Sequence, residues 1–458
     1  MRKPSRATWL PELQPGTRPL YLALVDAIAG DIQSGRLSTR DRLPTQRELA
    51  QRLRLNYATV SRAYGEAQRR GLIYSRVGQG SFVCRPRVSS LSRARGGSLV
   101  DMTMNLPPEP EDPVLLERLE QGVHALRTGL RELLRYQEFG GSLHARKVGT
   151  RWLARVGLRA PPECVLICPG AQSALVATLS LLAKPGDVVV CEDVTYPGVR
   201  AVAAQHGIRL IGLPMDAEGI TPASFADACA EHHPKLLYCN PTLQNPTTTT
   251  VSLARRRELV RIARQHGLAI LEDDAYGVLP SSPTAPFAKL APDITFYVAG
   301  FAKCLGAGLR VAYLAAPNER RAAQLASILR ATTVMASPIT VALATHWVED
   351  GTAEAALLGI RAESAARQRM VAETLTQATY HCHPEGFHVW LEIPDELEAV
   401  ELAARMHEHG VYPVAGDAFC VGRDPPRAVR ICLGGHLSRA DLQKALLRLG
   451  SLLQATCA

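Results

Sequence analysis

A lysine stands seven residues before an arginine in Ala299-Gly-Phe-Ala-Lys303 and Gly306-Ala-Gly-Leu-Arg310, with small residues between them. A lysine held in a buried site can form a Schiff base with an aldehyde, and an arginine can clamp a phosphate through two parallel hydrogen bonds. Taken alone, such a pair is more often surface charge. An acid lies upstream in Leu271-Glu-Asp273-Asp-Ala-Tyr276, directly after an apolar run. The carboxyl end of a strand in an α/β sheet is where ligand groups gather. An Asp there can keep a ring nitrogen protonated and make the ring an electron sink, although a plain helix cap would satisfy the same position. Tyr276, three residues on, can hold a ring oxygen. Cys168-Pro-Gly170-Ala171-Gln172-Ser-Ala-Leu reads as a strand, a tight turn and a helix start, whose free amides and dipole suit a phosphate.

The elements that carry these residues repeat along the chain. Short apolar runs at Cys164–Cys168, Val188–Cys191, Leu236–Cys239, Ala269–Glu272 and Thr295–Ala299 alternate with helical patterns. Strands alternating with helices predict a largely parallel α/β sheet. His381-Cys382-His383 looks like a metal-binding fragment, but adjacent strand residues point to opposite faces, so it is taken as structure and no metal site is assigned.

The first hundred residues are different. Leu20, Leu24, Ile28 and Ile32 place one apolar stripe on a first helix, which Gly35 stops. Thr45 is placed to cap a second helix with Glu48 three residues on, and Leu49 and Leu53 form its inner face. Asn56 caps a third helix from about Tyr57 to Arg70, with Val60, Tyr64 and Ala67 inside. Gly71 ends it. Leu72–Arg76 and Ser81–Val83 then form a hairpin around Val77-Gly78-Gln79-Gly80. Three helices and a hairpin make a winged helix-turn-helix. From Arg85 to Pro113 the pattern dissolves into a basic, Ser/Gly-rich stretch followed by prolines, which reads as a linker.

Charge divides the same way. Residues 1–100 hold 18 Lys/Arg against 6 Asp/Glu, a net of +12, and the remaining 358 hold 34 against 37, a net of −3. A compact basic domain on a slightly acidic body points to a polyanion partner for the first part. In this motif the third helix enters the major groove. That puts Tyr57, Thr59 and Arg62 at the bases or phosphates, Arg47 at the backbone or the groove floor, and the wing glycine Gly80 where the main chain can approach DNA closely. The N-terminus is basic but lacks an apolar h-region. The longest apolar stretch, Ala174 to Ala183, is too short to span a bilayer. The 11 cysteines show no close-set pairs, which fits reduced thiols in a cytoplasmic protein.

The run LPTQRELAQRL, then TVSRAY, then RRGLIYSRVGQGSFV resembles the winged-helix domain of GntR-type bacterial regulators. The resemblance implies DNA contacts at Arg47, Thr59, Arg62 and around Gly80. Tyr57 stands where that family often has Arg, so base preference does not carry over. The downstream motifs together resemble the fold-type I aminotransferases that use pyridoxal 5′-phosphate (PLP). This implies that Lys303 forms the Schiff base, Asp273 pairs with the pyridine nitrogen, and Tyr276 and Asn245 (in Gln244-Asn245-Pro246-Thr247) contact the phenolic oxygen. Tyr196, in Thr195-Tyr196-Pro197-Gly198, resembles the residue stacked on the ring. Ala171, Gln172 and Arg310 resemble the phosphate cup, and Tyr136 the residue that reaches the neighbouring subunit's phosphate in a homodimer. Arg430, in Val429-Arg430-Ile431-Cys432, resembles the arginine that binds a substrate carboxylate. Gly300 and Ala302 replace common serines, Thr248 a usual Gly and Ala307 a frequent Pro.

A winged helix, a linker and an aminotransferase-like domain make the architecture of MocR-type regulators. The expected layout is a DNA-binding domain at 15–84, a linker at 85–113 and a PLP-binding domain at 114–458. The last comprises a large mostly parallel-sheet α/β domain and a small α+β domain from about 335. The expected function is a PLP-dependent transcriptional regulator that responds to an amino acid or amine, or to PLP itself. The rival is a working amino acid aminotransferase that carries a DNA-binding domain.

Overall fold

The structure, a computed structural model, describes residues 9–11, 19–33, 36–37, 41–69, 72–76, 80–83, 100–394, 397–422 and 424–456. The expected stops at Gly35 and Gly71, the wing-tip residues Gly78 and Gln79, and the basic stretch 85–99 lie outside them. The chain divides into two compact units, Met1–Gly97 and Ser98–Ala458.

The first unit holds α1 (Leu20–Gln33), α2 (Gln46–Leu53), α3 (Tyr57–Arg69) and a hairpin of β1 (Ile73–Arg76) and β2 (Gly80–Val83). Both expected caps are made: the Thr45 hydroxyl accepts from the Glu48 amide at 3.2 Å, and Asn56 Oδ1 from the Ala58 amide at 2.9 Å. Leu24, Val25 and Ile28 of α1 meet Val60, Ala63, Tyr64 and Ala67 of α3 in the core. Leu20, expected on the buried stripe, is instead 51% exposed at the helix's first position. Residues 41–43 lie beside the hairpin: the Leu43 amide donates to the Ser81 carbonyl and the Val83 amide to that of Asp41, both at 2.9 Å.

The second unit is built on a seven-stranded sheet in the order β4 (Val165–Cys168), β12 (Ala312–Ala315), β11 (Thr295–Gly300), β10 (Ala269–Asp273), β9 (Leu236–Cys239), β5 (Val188–Glu192) and β6 (Arg209–Leu213). Every pairing is parallel except those of β12, which is antiparallel to both neighbours. The strands are apolar on both faces because helices cover both, as the near-continuous runs required. Val189, Cys191, Leu271, Val298 and Leu314 meet Leu175 and Leu325 on one side. The alternate residues Val190, Leu237 and Ile270 meet Phe225 and Leu259 on the other. A small hairpin, β7 (Met215–Asp216) and β8 (Gly219–Ile220), follows β6.

The C-terminal part adds a four-stranded antiparallel sheet, β13 (Tyr380–Cys382), β14 (His388–Glu392), β17 (Ala428–Cys432) and β16 (Val414–Ala415). His381 of β13 pairs with Glu392 at 2.8 Å. One expectation needs correction. The proline-rich half of the expected linker, 100–112, belongs to the larger unit. Val100–Asp101 forms β3, paired in parallel with β15 (Val411–Tyr412), and Val100 and Met102 are buried in the small-sheet core. The apolar residues at 100 and 102 alternate around Asp101, so burial on one face outweighs the prolines that follow.

Candidate functional site

Asp273 ends β10 with its side chain buried. The Tyr238 hydroxyl, from the adjacent β9, donates to its Oδ2 at 2.9 Å, while Oδ1 has no hydrogen-bond partner among the described residues. Burial pushes this carboxyl up to about 6, against the Tyr238 hydrogen bond and the charge of Lys303. A buried carboxylate oxygen left without a donor is costly and needs a reason. The Asn240 side-chain amide donates to the Asp273 main-chain carbonyl and fixes the strand end.

Lys303 lies in a single 3-10 turn directly after β11. Burial pulls its ammonium down to about 8, and the positive charges of Arg430 and Arg310 act in the same direction. Its Nζ sits 5.6 Å from the centre of the Tyr276 ring and donates to the main-chain carbonyl of Asn105. Tyr276 is 2% exposed, and its hydroxyl accepts from Asn105 Nδ2 at 2.9 Å. Arg430, in β17, donates from Nη1 to Asn245 Oδ1 at 2.7 Å and from Nη2 to the Thr103 carbonyl. Its guanidinium lies 4.8 Å from the centre of the Phe419 ring.

The turn before helix Ala171–Leu182 forms a cradle. Gly170 has φ +82°, and a Cβ there would come within 2.7 Å of Arg310 Nη2. Only glycine lets that guanidinium lie on the turn whose amides open the helix. Gln172 is half-buried beside it; its Nε2 donates to the Gly198 carbonyl at 3.2 Å, and the Tyr196 hydroxyl reaches its Oε1 at 3.4 Å. Gly198 is required in turn, since a Cβ would fall 2.2 Å from the Tyr196 ring.

The chain thus ties Asp273 through Asn240, whose Oδ1 accepts from the Asn245 amide at 2.8 Å, to Asn245 and Arg430, and ties Lys303 to Tyr276 through Asn105, with Tyr196, Gln172, Ala171 and Arg310 grouped around the cradle. Tyr136 is not part of either group; it is 80% exposed in the single chain. Sequence reasoning missed Asn105, which sat in the presumed linker, and Tyr238, hidden in the apolar run Leu-Leu-Tyr-Cys. The unsatisfied Asp273 oxygen, the buried lysine of lowered basicity and the glycine-floored arginine cradle fit a phosphorylated pyridine aldehyde: an acceptor for a ring N–H, an amine and an anion seat.

In the first unit, Arg47, Tyr57 and Arg62 are exposed on α2 and α3, and Thr59 is half-buried. The Arg62 guanidinium lies 4.2 Å over the Tyr21 ring, a stacking that limits its wandering. Gly80 has φ +110°, and a Cβ there would meet Arg42 Nε at 2.9 Å. Arg42, which the sequence did not single out, is therefore a basic side chain at the wing.

The larger unit is aminotransferase-like in fold and the smaller is a winged helix. Residues 99–449 match the family described as aminotransferase class I and II, and residues 20–83 match bacterial regulatory proteins of the gntR family. The chain is 30% identical over 453 residues to YdeF of Bacillus subtilis, described as an uncharacterized HTH-type transcriptional regulator, covering 97% of both chains. It is 27% identical to the HTH-type transcriptional regulator TauR of Rhodobacter capsulatus, covering 91% of this chain and 92% of that one. A solved structure of LysN, an alpha-aminoadipate aminotransferase from Thermus thermophilus, matches with a TM-score of 0.71 and 25% identity, over 79% of this chain and 93% of that one. The chain belongs to the MocR-type GntR-family regulators, in which a DNA-binding winged helix is fused to a class I/II aminotransferase domain. Among the described residues no helix is long and apolar enough to cross a membrane.

Proposed function

We propose that this regulator holds PLP at Lys303 and changes its DNA binding when an amino compound reaches that site. The carrying observation is the buried Asp273 Oδ1 without a partner, on which the charge of a lysine of lowered basicity acts. In this reading Asp273 Oδ1 accepts from the ring nitrogen, and Tyr276 and Asn245 face the phenolic oxygen. Tyr196 packs on the ring, while Ala171, Gln172 and Arg310 take the phosphate. PLP, when bound, supplies an aldehyde that condenses with primary amines and a ring that withdraws electrons. Lys303 is the amine that anchors it, and a lowered pKa keeps more of that amine neutral near pH 8. Arg430 favours a ligand with a carboxylate. Tyr136 would serve the other copy's site in a homodimer, for which its exposure leaves it available.

The test is a visible absorption titration of the PLP-loaded chain with amino acids and amines, with Lys303→Ala beside it. A lasting spectral shift away from the lysine-bound form with one or a few compounds is expected, and Lys303→Ala should lack that starting form and show the free aldehyde before any amine is added. A spectrum that no amine changes would sink the amine-sensing reading and leave PLP itself as the signal. Conversion to the pyridoxamine form, reversed by added 2-oxo acids, would instead support the rival aminotransferase reading, for which the family match to aminotransferases speaks.

On the DNA side, the winged helix binds duplex DNA through the open face of α3. Replacing Arg62 with alanine should weaken binding to every duplex about equally and reduce the salt dependence by about one counterion. Binding isotherms across a salt series check this. An unchanged salt slope would remove Arg62 from the phosphate contacts.

A further inference from the structure

We infer that residues 100–108 form a strap whose seat is disturbed by a ligand carboxylate on Arg430, so that ligand binding is felt where the chain leaves for the winged helix. This rests on the reading above and specifies its regulation. The strap enters the larger unit directly after the stretch that joins the two units. At its start the Val100 amide donates to the Gly410 carbonyl at 2.8 Å and the Met102 amide to that of Tyr412 at 3.1 Å. At its far end the Gly435 amide donates to the Pro107 carbonyl at 3.0 Å. Gly434 is needed for that seat, since a Cβ there would fall 1.8 Å from the Leu106 carbonyl oxygen.

Between these ends the strap holds the site. Asn105 donates to the Tyr276 hydroxyl, its carbonyl accepts from Lys303, and the Thr103 carbonyl accepts from Arg430 Nη2. Arg430 is 6% exposed, and its Nε has no hydrogen-bond partner among the described residues. A guanidinium grips a carboxylate with two parallel N–H groups, either Nε with Nη2 or Nη1 with Nη2. Both grips use Nη2. Nη1 and Nη2 each carry two N–H groups, of which Asn245 Oδ1 and the Thr103 carbonyl hold one apiece; in this inference the carboxylate takes the Nη2 N–H that the Thr103 carbonyl holds, and in the second grip the Nη1 N–H on Asn245 Oδ1 as well. A full negative charge outcompetes a neutral carbonyl for a buried cation. An amine without a carboxylate makes no such demand and leaves Thr103 on Arg430. Each state of the strap is thus distinguished by a differential contact, which a ligand needs if it is to shift an equilibrium.

The test compares two non-reactive probes that differ only in the carboxylate, N-(5′-phosphopyridoxyl)-L-alanine and N-(5′-phosphopyridoxyl)-ethylamine. The full-length chain is saturated with each, and hydrogen exchange is followed in peptides covering 100–108 and 430–436. Losing a charged hydrogen bond should speed exchange at the Val100 and Met102 amides by about tenfold with the alanine probe relative to the ethylamine probe. Equal exchange with both probes bound overturns the strap and leaves the PLP site standing. Failure of both to bind overturns the PLP site and the strap with it. Asn105→Ala, which cuts the tie to Tyr276, should speed strap exchange even with the ethylamine probe, and no change there also overturns the inference.

Discussion

Replacing Arg256 with alanine is expected to lower the stability of the larger unit by about 4 kcal/mol, the cost of breaking a fully buried ion pair from one side. Arg256 is 0% exposed. Its Nη1 faces Glu272 Oε1 at 3.4 Å and the Ala285 carbonyl at 3.2 Å. Its Nη2 donates to the Pro241 carbonyl at 3.0 Å and the Thr242 hydroxyl at 3.1 Å, and its Nε to the Val251 carbonyl at 3.0 Å. Alanine leaves all of these acceptors in a dry interior, and the loss of positive charge bears on Asp274 as well as Glu272. Burial and the Asp274 charge already push the Glu272 carboxyl up, and Arg256 opposes them. Without the arginine both carboxyls rise further, so the variant's deficit should shrink as pH falls and they take up protons. Denaturant melts of wild type and variant at pH 5 and pH 8 check the sign. A double variant, Arg256→Met with Glu272→Met, should recover at least part of the loss, because the Glu272 charge is removed together with its partner. If it is less stable than Arg256→Ala alone, the ion-pair account is wrong.

That pair also marks what could be read from the sequence. Within LARRRELVRIAR five arginines look alike, as a solvated helix face, and nothing local says which one is buried. Only the strand pairing that puts Glu272 on the face covered by this helix selects Arg256. The triplet Glu272-Asp273-Asp274 is similar. Neighbouring strand residues face opposite ways, so Asp273 can face the site while Glu272 turns inward, where the Phe287 and Ala288 amides donate to it at 2.9 Å. The strand rule made Asp273 the candidate; the roles of its neighbours needed the tertiary fold. Strands such as Leu236–Cys239 were legible because burial on both faces demands an unbroken apolar run, and the caps at Thr45 and Asn56 because they are local chemistry. Asn105 and Thr103 were not legible. Prolines nearby outweighed the two-residue alternation of Val100 and Met102, and a backbone carbonyl that binds an arginine leaves no trace in side-chain type.

Asp273→Asn is expected to weaken PLP binding by about 100-fold while making the cofactor-free protein more stable at pH 7. An ionised carboxylate on a protonated ring nitrogen forms a charge-assisted hydrogen bond, stronger than the contact an amide makes to the same atom. Asparagine cannot balance the ring's positive charge, so affinity falls and the electron-withdrawing power of the bound ring falls with it. Stability moves the other way. The buried carboxyl titrates at about 6 in the folded chain, above its ordinary value of 3.8. A raised carboxyl contributes stability below the unfolded value and loses it as pH rises through the folded one. The loss is on the order of 3 kcal/mol, complete by about pH 7. The asparagine variant has no such titration, so its advantage over wild type should grow between pH 4 and 6 and stay level above. Thermal melts of the cofactor-free proteins over that range, beside equilibrium dialysis with PLP, test both halves. A variant that binds PLP as wild type does would mean that Oδ1 faces something other than a ring nitrogen. A stability gap that is flat with pH would mean that Asp273 is solvated in the cofactor-free chain. The opposed signs follow from one cause: the oxygen kept without a partner is costly until a cation arrives, and that cost favours cofactor-bound over cofactor-free protein.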